Sequence, residues 1–168
     1  MKNSSKRPQM KIPKTRGERI WNAIGYTIFL GTIIFVIWVW KYIPNEVPAH
    51  FNSAGEITRW GSKWELLIIL IPGIFTATFM GVMERYPESH NYPKRFNEAN
   101  AKAFYLHSRK MMNQLKNICL IIFSIITLES IFIAMNWWEG LDAWMLPLLI
   151  TFTFFPLILS FMKRRKIK

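Results

Sequence analysis

Acidic residues are scarce in this chain. Ten Asp and Glu stand against 22 Lys and Arg, a formal net charge of +12 over 168 residues. In a soluble domain that imbalance would point to nucleic acid. No helix-turn-helix pattern and no aromatic-interleaved basic stretch accompanies it, so no nucleic-acid partner is expected. There is one cysteine, Cys119, which excludes an internal disulfide. No H-E-x-x-H, G-x-x-x-x-G-K-[ST] or G-x-S-x-G is present. The sequence therefore offers no catalytic residue, no metal site and no cofactor site, and the expectation is a non-enzymatic protein.

What the chain has instead is hydrophobic length. Half of it, 51%, is hydrophobic and 15% is aromatic. The apolar residues form four blocks, Trp21–Ile43, Leu66–Met83, Asn117–Asn136 and Trp144–Met162. Each is about 18 to 23 residues, enough to cross roughly 30 Å of hydrocarbon. The expected fold is an all-α integral membrane protein with four transmembrane helices. The first block is too long for a signal-peptide core and no small-x-small cleavage site follows it.

Basic residues set the orientation. Residues 1–20 hold seven, 84–116 hold seven and 163–168 hold five; Lys41, Arg59 and Lys63 are the rest. The positive-inside rule then places both termini and the middle loop in the cytoplasm. Trp38, Trp40, Trp60, Trp64, Trp137, Trp138 and Trp144 fall at the outer boundary, and Trp21 at the inner one. On this topology His50 is outside while His90 and His107 are inside, so the three cannot share a metal.

Three regions follow. Residues 1–19 are a basic cytoplasmic tail, read as disordered and touching anionic lipid. Residues 20–116 hold two helices, an outer loop and a cytoplasmic loop. Residues 117–168 hold helices 3 and 4 and a basic C-terminus. In the second helix, Gly73-x-x-x-Ala77-x-x-x-Gly81 makes a face for close packing and Pro72 a kink. Pro147 and Pro156 are expected to bend the fourth. After Tyr86–Pro93, which two prolines keep non-helical, Asn97–Lys116 reads either as an interfacial amphipathic helix or as a plain extension of the third span. Phe104, Met111, Leu115 and Ile118 form its apolar face, and Lys102, Arg109, Lys110 and Lys116 supply charge.

Two features draw functional attention. The outer loop, Ile43 to Trp64, is a shaped loop: Pro44 and Pro48 forbid helix, Asn52-Ser53-Ala54-Gly55 signals a turn, and Ser62 with Glu65 matches a capping box. Its His50 either fixes the loop through the backbone, contacts a ligand, or serves metal or catalysis. The other feature is Glu129, an ionisable residue in a membrane helix and so a site hypothesis by default. Its candidate partners are Lys41, Arg59, Lys63 and His50, and its roles are a helix tie or an ion relay.

The run Pro44-x-x-x-Pro48-x-His50-Phe51-Asn52-x-x-Gly55-x-x-x-x-Trp60-Gly61-x-Lys63 resembles the signature of the bacterial membrane family of domain of unknown function 1648. The cytoplasmic Asn91-Tyr92-Pro93, with Asn100 following, is similar to what accompanies that domain. The resemblance covers residues from about 22 to 116. It implies a bacterial plasma-membrane protein, and it names Pro44, Pro48, His50, Phe51, Asn52, Gly55 and Lys63 as candidate ligand-binding residues. The family includes immunity proteins against the sporulation-delaying peptide toxin of Gram-positive bacteria. Those carry extra membrane helices, where four are expected here. The expected partners are the lipid bilayer and a peptide toxin or membrane protein; the alternative is a small transport or accessory subunit that uses Glu129.

Overall fold

The computed structural model describes residues 7–167, so Lys2 and Lys6 of the basic tail lie outside it. Helix α1 spans Arg16–Val39 and α2 Glu65–Arg85. Between them strands β1 (Glu46–Phe51) and β2 (Ile57–Ser62) form an antiparallel hairpin. Helix α3 spans Ala101–Ala134 and α4 Met145–Arg165. All four helices are long and apolar enough to cross a membrane. Ile24, Leu30, Ile34, Phe75, Phe79, Phe154 and Ile158 are exposed along them, an arrangement that suits lipid and not water.

The longest helix is the axis of the bundle. With 34 residues α3 is about 50 Å long at 1.5 Å per residue, longer than the hydrocarbon it crosses. From Ala101 the stretch before the third span is continuous with it in one helix and not a separate interfacial helix, while residues 97–100 lie before its start. Helices α1, α2 and α4 each pack against α3. Phe29, Val36, Val39, Leu70, Leu120 and Ile131 make the core. A methyl on Gly73 would stand 2.4 Å from the Phe29 ring, which is why a glycine is needed there. Gly81, at the end of the same small-residue row, meets only the Tyr26 hydroxyl at 4.0 Å.

Four expectations change. The chain is not all-α, because the loop folds as a two-stranded hairpin. The complete capping box forms at Thr15 and Glu18, opening α1. At Ser62 and Glu65 only one half of it is present, the Glu65 carboxylate accepting the Ser62 amide while Ser62 Oγ takes the Trp64 amide at 3.5 Å, and Glu65 is also paired with Arg59. Pro147 sits in the first turn of α4, where no N–H is needed, so Pro156 is the proline inside that helix. The described part of the basic tail is not a loose chain. Arg109 donates to the Ile12 and Pro13 carbonyls, and Arg7 donates to the carbonyls of Glu88 and His90.

Candidate functional site

The signature residues build the hairpin itself. Asn52 Oδ1 accepts from the Ala54 and Glu56 amides at 2.9 and 3.0 Å, and its Nδ2 donates to Glu56 at 2.7 Å. Gly55 closes that turn at φ 82°, a conformation glycine adopts freely. His50 Nδ1 meets Thr58 Oγ1 at 2.6 Å across the strands, so its ring is tied to the neighbouring strand while staying exposed. Pro48 and Val47 are both buried in β1, the strand that contacts α3, Phe51 is half-buried, and Pro44 is exposed at the entry to β1.

Lys63 closes the structure onto α1. Its Nζ lies 3.3 and 3.4 Å from the carbonyl oxygens of Trp40 and Ile43 and over the Trp40 ring. A cation there satisfies carbonyls that the helix leaves open and complements the negative end of its dipole. Arg59 and Glu65 pair through two bonds, 3.0 and 2.6 Å, and each favours the other's charged form. A Cβ on Gly61 would fall 2.2 Å from Glu65 Oε1, so the glycine makes room for this pair.

Beside the hairpin lies a cleft of about 780 Å³ that, of the signature residues, Trp60 alone lines. Its walls are Trp60 of β2, Ile133 of α3, and Asn136, Trp137, Trp138, Glu139 and Gly140 of the connection to α4. The three indoles are 49%, 58% and 49% exposed. The connection is shaped by two devices. Asn136 takes φ 55°, and the Trp137 amide reaches back to the Phe132 carbonyl at 2.8 Å, a left-handed helix stop that asparagine tolerates. Glu129 Oε1 accepts the Leu141 amide at 2.6 Å, pinning the far side of the loop to α3. Glu129 therefore ties elements together. Of the side chains considered as its partners, Arg59 pairs with Glu65, Lys63 bonds the end of α1, Lys41 lies over the Tyr42 ring, and His50 meets Thr58.

At the opposite end a buried ionic cluster crosses the bundle. Glu84 and Lys116, 3% and 1% exposed, pair at 2.7 Å. Lys14 reaches Glu84 at 3.3 Å, and Asn113 Nδ2 lies within 3.4 Å of both its oxygens. Asn113 and Asn117 both donate to Asn22 Oδ1, and Gly25 lies flat against Asn117. One turn outward, Arg109 binds both oxygens of Glu18 at 2.7 and 3.1 Å. Arg109 and Lys116 were expected to supply surface charge; they are buried because each has its own acid on a neighbouring helix.

The Asn91-Tyr92-Pro93 segment closes this end. Tyr92 stacks on Phe96 and donates to the Pro87 carbonyl at 2.6 Å; burial pushes its phenol up to about 12. Asn100 accepts the Asn97 amide and donates to the Arg95 carbonyl, while the Asn91 carbonyl accepts from Arg164. His90 donates from Nε2 to the Met83 carbonyl and its Nδ1 faces the Ser108 hydroxyl. Burial pulls its pKa below the ordinary histidine value, with the Met83 bond and Glu88 opposing.

The hairpin and the adjoining parts of α1 and α2 are the stretch that a known family matches. Residues 27–76 match the family described as Domain of unknown function (DUF1648). The DUF1648 match is shorter than the resemblance read from about 22 to 116, and leaves α3 and α4 outside it. The chain is also similar to an uncharacterized protein of Archaeoglobus fulgidus, 29% identical over 105 residues. That alignment takes in 54% of this chain and 52% of the relative, so the chain spans about half the length of the curated relative it matches. The relative is archaeal, wider than the bacterial setting the signature implied. No solved structure matches the chain. Among the described residues no group of His, Cys, Asp and Glu is arranged to hold a metal ion.

Two features were not assembled from the sequence, although Trp60, Trp137 and Trp138 were already placed together at the outer boundary. Arg109, Asn113, Lys116 and Asn117 recur at helical spacing and so share a face of α3; that polar stripe opposite Glu18 and Glu84 was the available signal. The aromatic cleft had the signal Trp137-Trp138-Glu139, but its third indole comes from β2, and no sequence spacing relates the two.

Proposed function

We propose that this chain is a non-enzymatic plasma-membrane protein, with both termini in the cytoplasm, that captures a membrane-active peptide at its outer surface. The observation that carries the reading is the cleft of Trp60, Trp137, Trp138 and Glu139. Its volume falls in the range of ligand sites. Exposed indoles give large amphipathic contact area and attract cations over their faces. Glu139 adds a negative charge for a basic side chain. A peptide that partitions to the bilayer surface meets this cleft where a tryptophan belt is expected to lie. The hairpin holds one wall and Glu129 the other. Immunity to a peptide toxin, as the signature's resemblance implies, is the form of this activity we favour. The orientation rests on the concentration of basic residues at the end that carries the termini.

The alternative is a transport or accessory role centred on Glu129. Ser124 and Thr127, which lie between Lys116 and Glu129 on α3, spend their hydroxyls on carbonyls of their own helix at 2.8 and 2.7 Å. This favours a structural Glu129 over one in a polar path.

Survival tests the proposal. The chain is expressed in a sensitive Gram-positive host and challenged with a panel of membrane-active peptides, with His50→Ala, Trp60→Ala and Glu129→Gln at matched membrane abundance. Peptide capture predicts protection by the wild type, its loss with Trp60→Ala, and its retention with Glu129→Gln, since glutamine can still accept the Leu141 amide. Protection against no peptide would remove the immunity reading.

A further inference from the structure

We infer that the gap between α1, α3 and α4, at the end of the bundle that carries the termini, is a binding site for the headgroup of an anionic phospholipid. Two hollows of about 250 and 420 Å³ adjoin there and share Trp21, Lys110, Gln114 and Lys163 as walls. Lys110 and Lys163 are exposed, and neither is in an ion pair among the described residues. The acid nearest the hollow, Glu18, is already bound by Arg109 and by Thr15. Two unneutralised ammonium groups therefore line one opening, and an anion is their complement. Basic hollows between membrane helices suit such headgroups.

The rest of the groove speaks for a lipid over a free anion. Beyond the lysines its walls turn apolar, with Ile118, Phe155, Pro156 and Leu159. A further small hollow continues along α3 and α4 and shares Met111, Gln114, Ile118 and Pro156 with the first. Charge at one end and hydrocarbon along the other match a phosphate with an acyl chain; a free phosphate would leave the apolar track unused. Trp21, half-buried in the wall, is the tryptophan at this end of the bundle, where an indole suits the headgroup layer. Trp21 of α1 lines the groove from one side, and α4, which packs chiefly on α3, from the other.

The test is native mass spectrometry of the full chain released from detergent with phosphatidylglycerol or phosphatidylcholine of the same acyl chains. At about 1 kcal/mol per lysine near a surface, two lysines predict a preference for phosphatidylglycerol of roughly tenfold or more. K110Q/K163Q should bring the preference close to parity, and K110R/K163R should keep it. K94Q/K102Q, the same charge change outside the groove, should leave it intact. Glycerol phosphate and inorganic phosphate should not displace the lipid. The inference is overturned if K110Q/K163Q retains the preference, if K94Q/K102Q loses it equally, or if inorganic phosphate displaces the lipid, which would make this a free-anion site.

Discussion

Removing the Lys116 ammonium should cost the fold several kilocalories, and removing its partner should cost more. Glu84 and Lys116 are almost wholly shielded from solvent. Breaking a buried pair by deleting one partner costs about 3–5 kcal/mol, because the survivor is left as an uncompensated charge. The survivors here differ. In Lys116→Met, Glu84 keeps Lys14 at 3.3 Å and the Asn113 amide, which places the loss near the low end, about 3 kcal/mol. In Glu84→Gln, Lys116 keeps the face of Tyr26 at 4.9 Å, a weaker substitute that places the loss nearer 5 kcal/mol. The double variant Glu84→Gln/Lys116→Met leaves no buried charge unpaired, since Lys14 is well exposed, and should recover much of either loss. Thermal unfolding in detergent, followed by a thiol-reactive dye at half-buried Cys119, reads all three. A cost below about 1 kcal/mol for Lys116→Met, or a double variant worse than both singles together, would refute the assignment of this pair as a charge-compensated unit.

Three further outcomes follow from the same geometry. Gly25→Ala should destabilise by about 1–3 kcal/mol, since its Cβ would meet Asn117 atoms at 2.3–2.8 Å, whereas Gly31→Ala, with nothing within 4 Å, should be neutral or slightly stabilising; unfolding temperatures compare them. His90, held neutral by burial, titrates in the folded protein below the ordinary value of 6.5. Below that pH the unfolded chain binds a proton that the folded chain does not, so stability is intact above it and falls as pH drops through 6.5 towards the folded pKa; a pH series on wild type and His90→Gln should show the slope flattened in the variant. Asn52→Ala removes three bonds from the hairpin turn and should loosen the hairpin while leaving the helices, read as faster hydrogen exchange in residues 46–62 with unchanged exchange in α3.

The helices were legible because each is a long apolar run, and the run length alone matches a bilayer. Their exact reach was not. The continuation of α3 back to Ala101 depends on Arg109 and Lys116 finding Glu18 and Glu84, and these pairs join residues far apart in the chain. The loop was recognised as shaped from its prolines and Asn52–Gly55, yet its strands were missed. Alternation is weak there, with Val47 and Pro48 buried in succession, and the register shifts near His50 blur the period of two. His50, Asn52, Gly55 and Lys63 were singled out as candidates for contact with a ligand. Each has a bond or a backbone angle that shapes the hairpin, and the cleft beside them borrows its other wall from the α3–α4 connection. Glu129 stood out as a charge in an apolar run, but its Leu141 partner is a backbone amide and has no signal in sequence.

The most direct test of peptide capture is binding to the purified full chain in nanodiscs, read as quenching of intrinsic tryptophan fluorescence and by calorimetry. A cationic membrane-active peptide should saturate the wild type, and Trp137→Ala and Glu139→Gln should each weaken it by about tenfold, on the order of 1–2 kcal/mol for one anchoring contact. His50→Ala, which touches only the hairpin's internal bond to Thr58, should bind within a few-fold of the wild type. Equal binding by the wild type, Trp137→Ala and Glu139→Gln, or binding no greater than to empty nanodiscs, would contradict the assignment of the cleft as the peptide site.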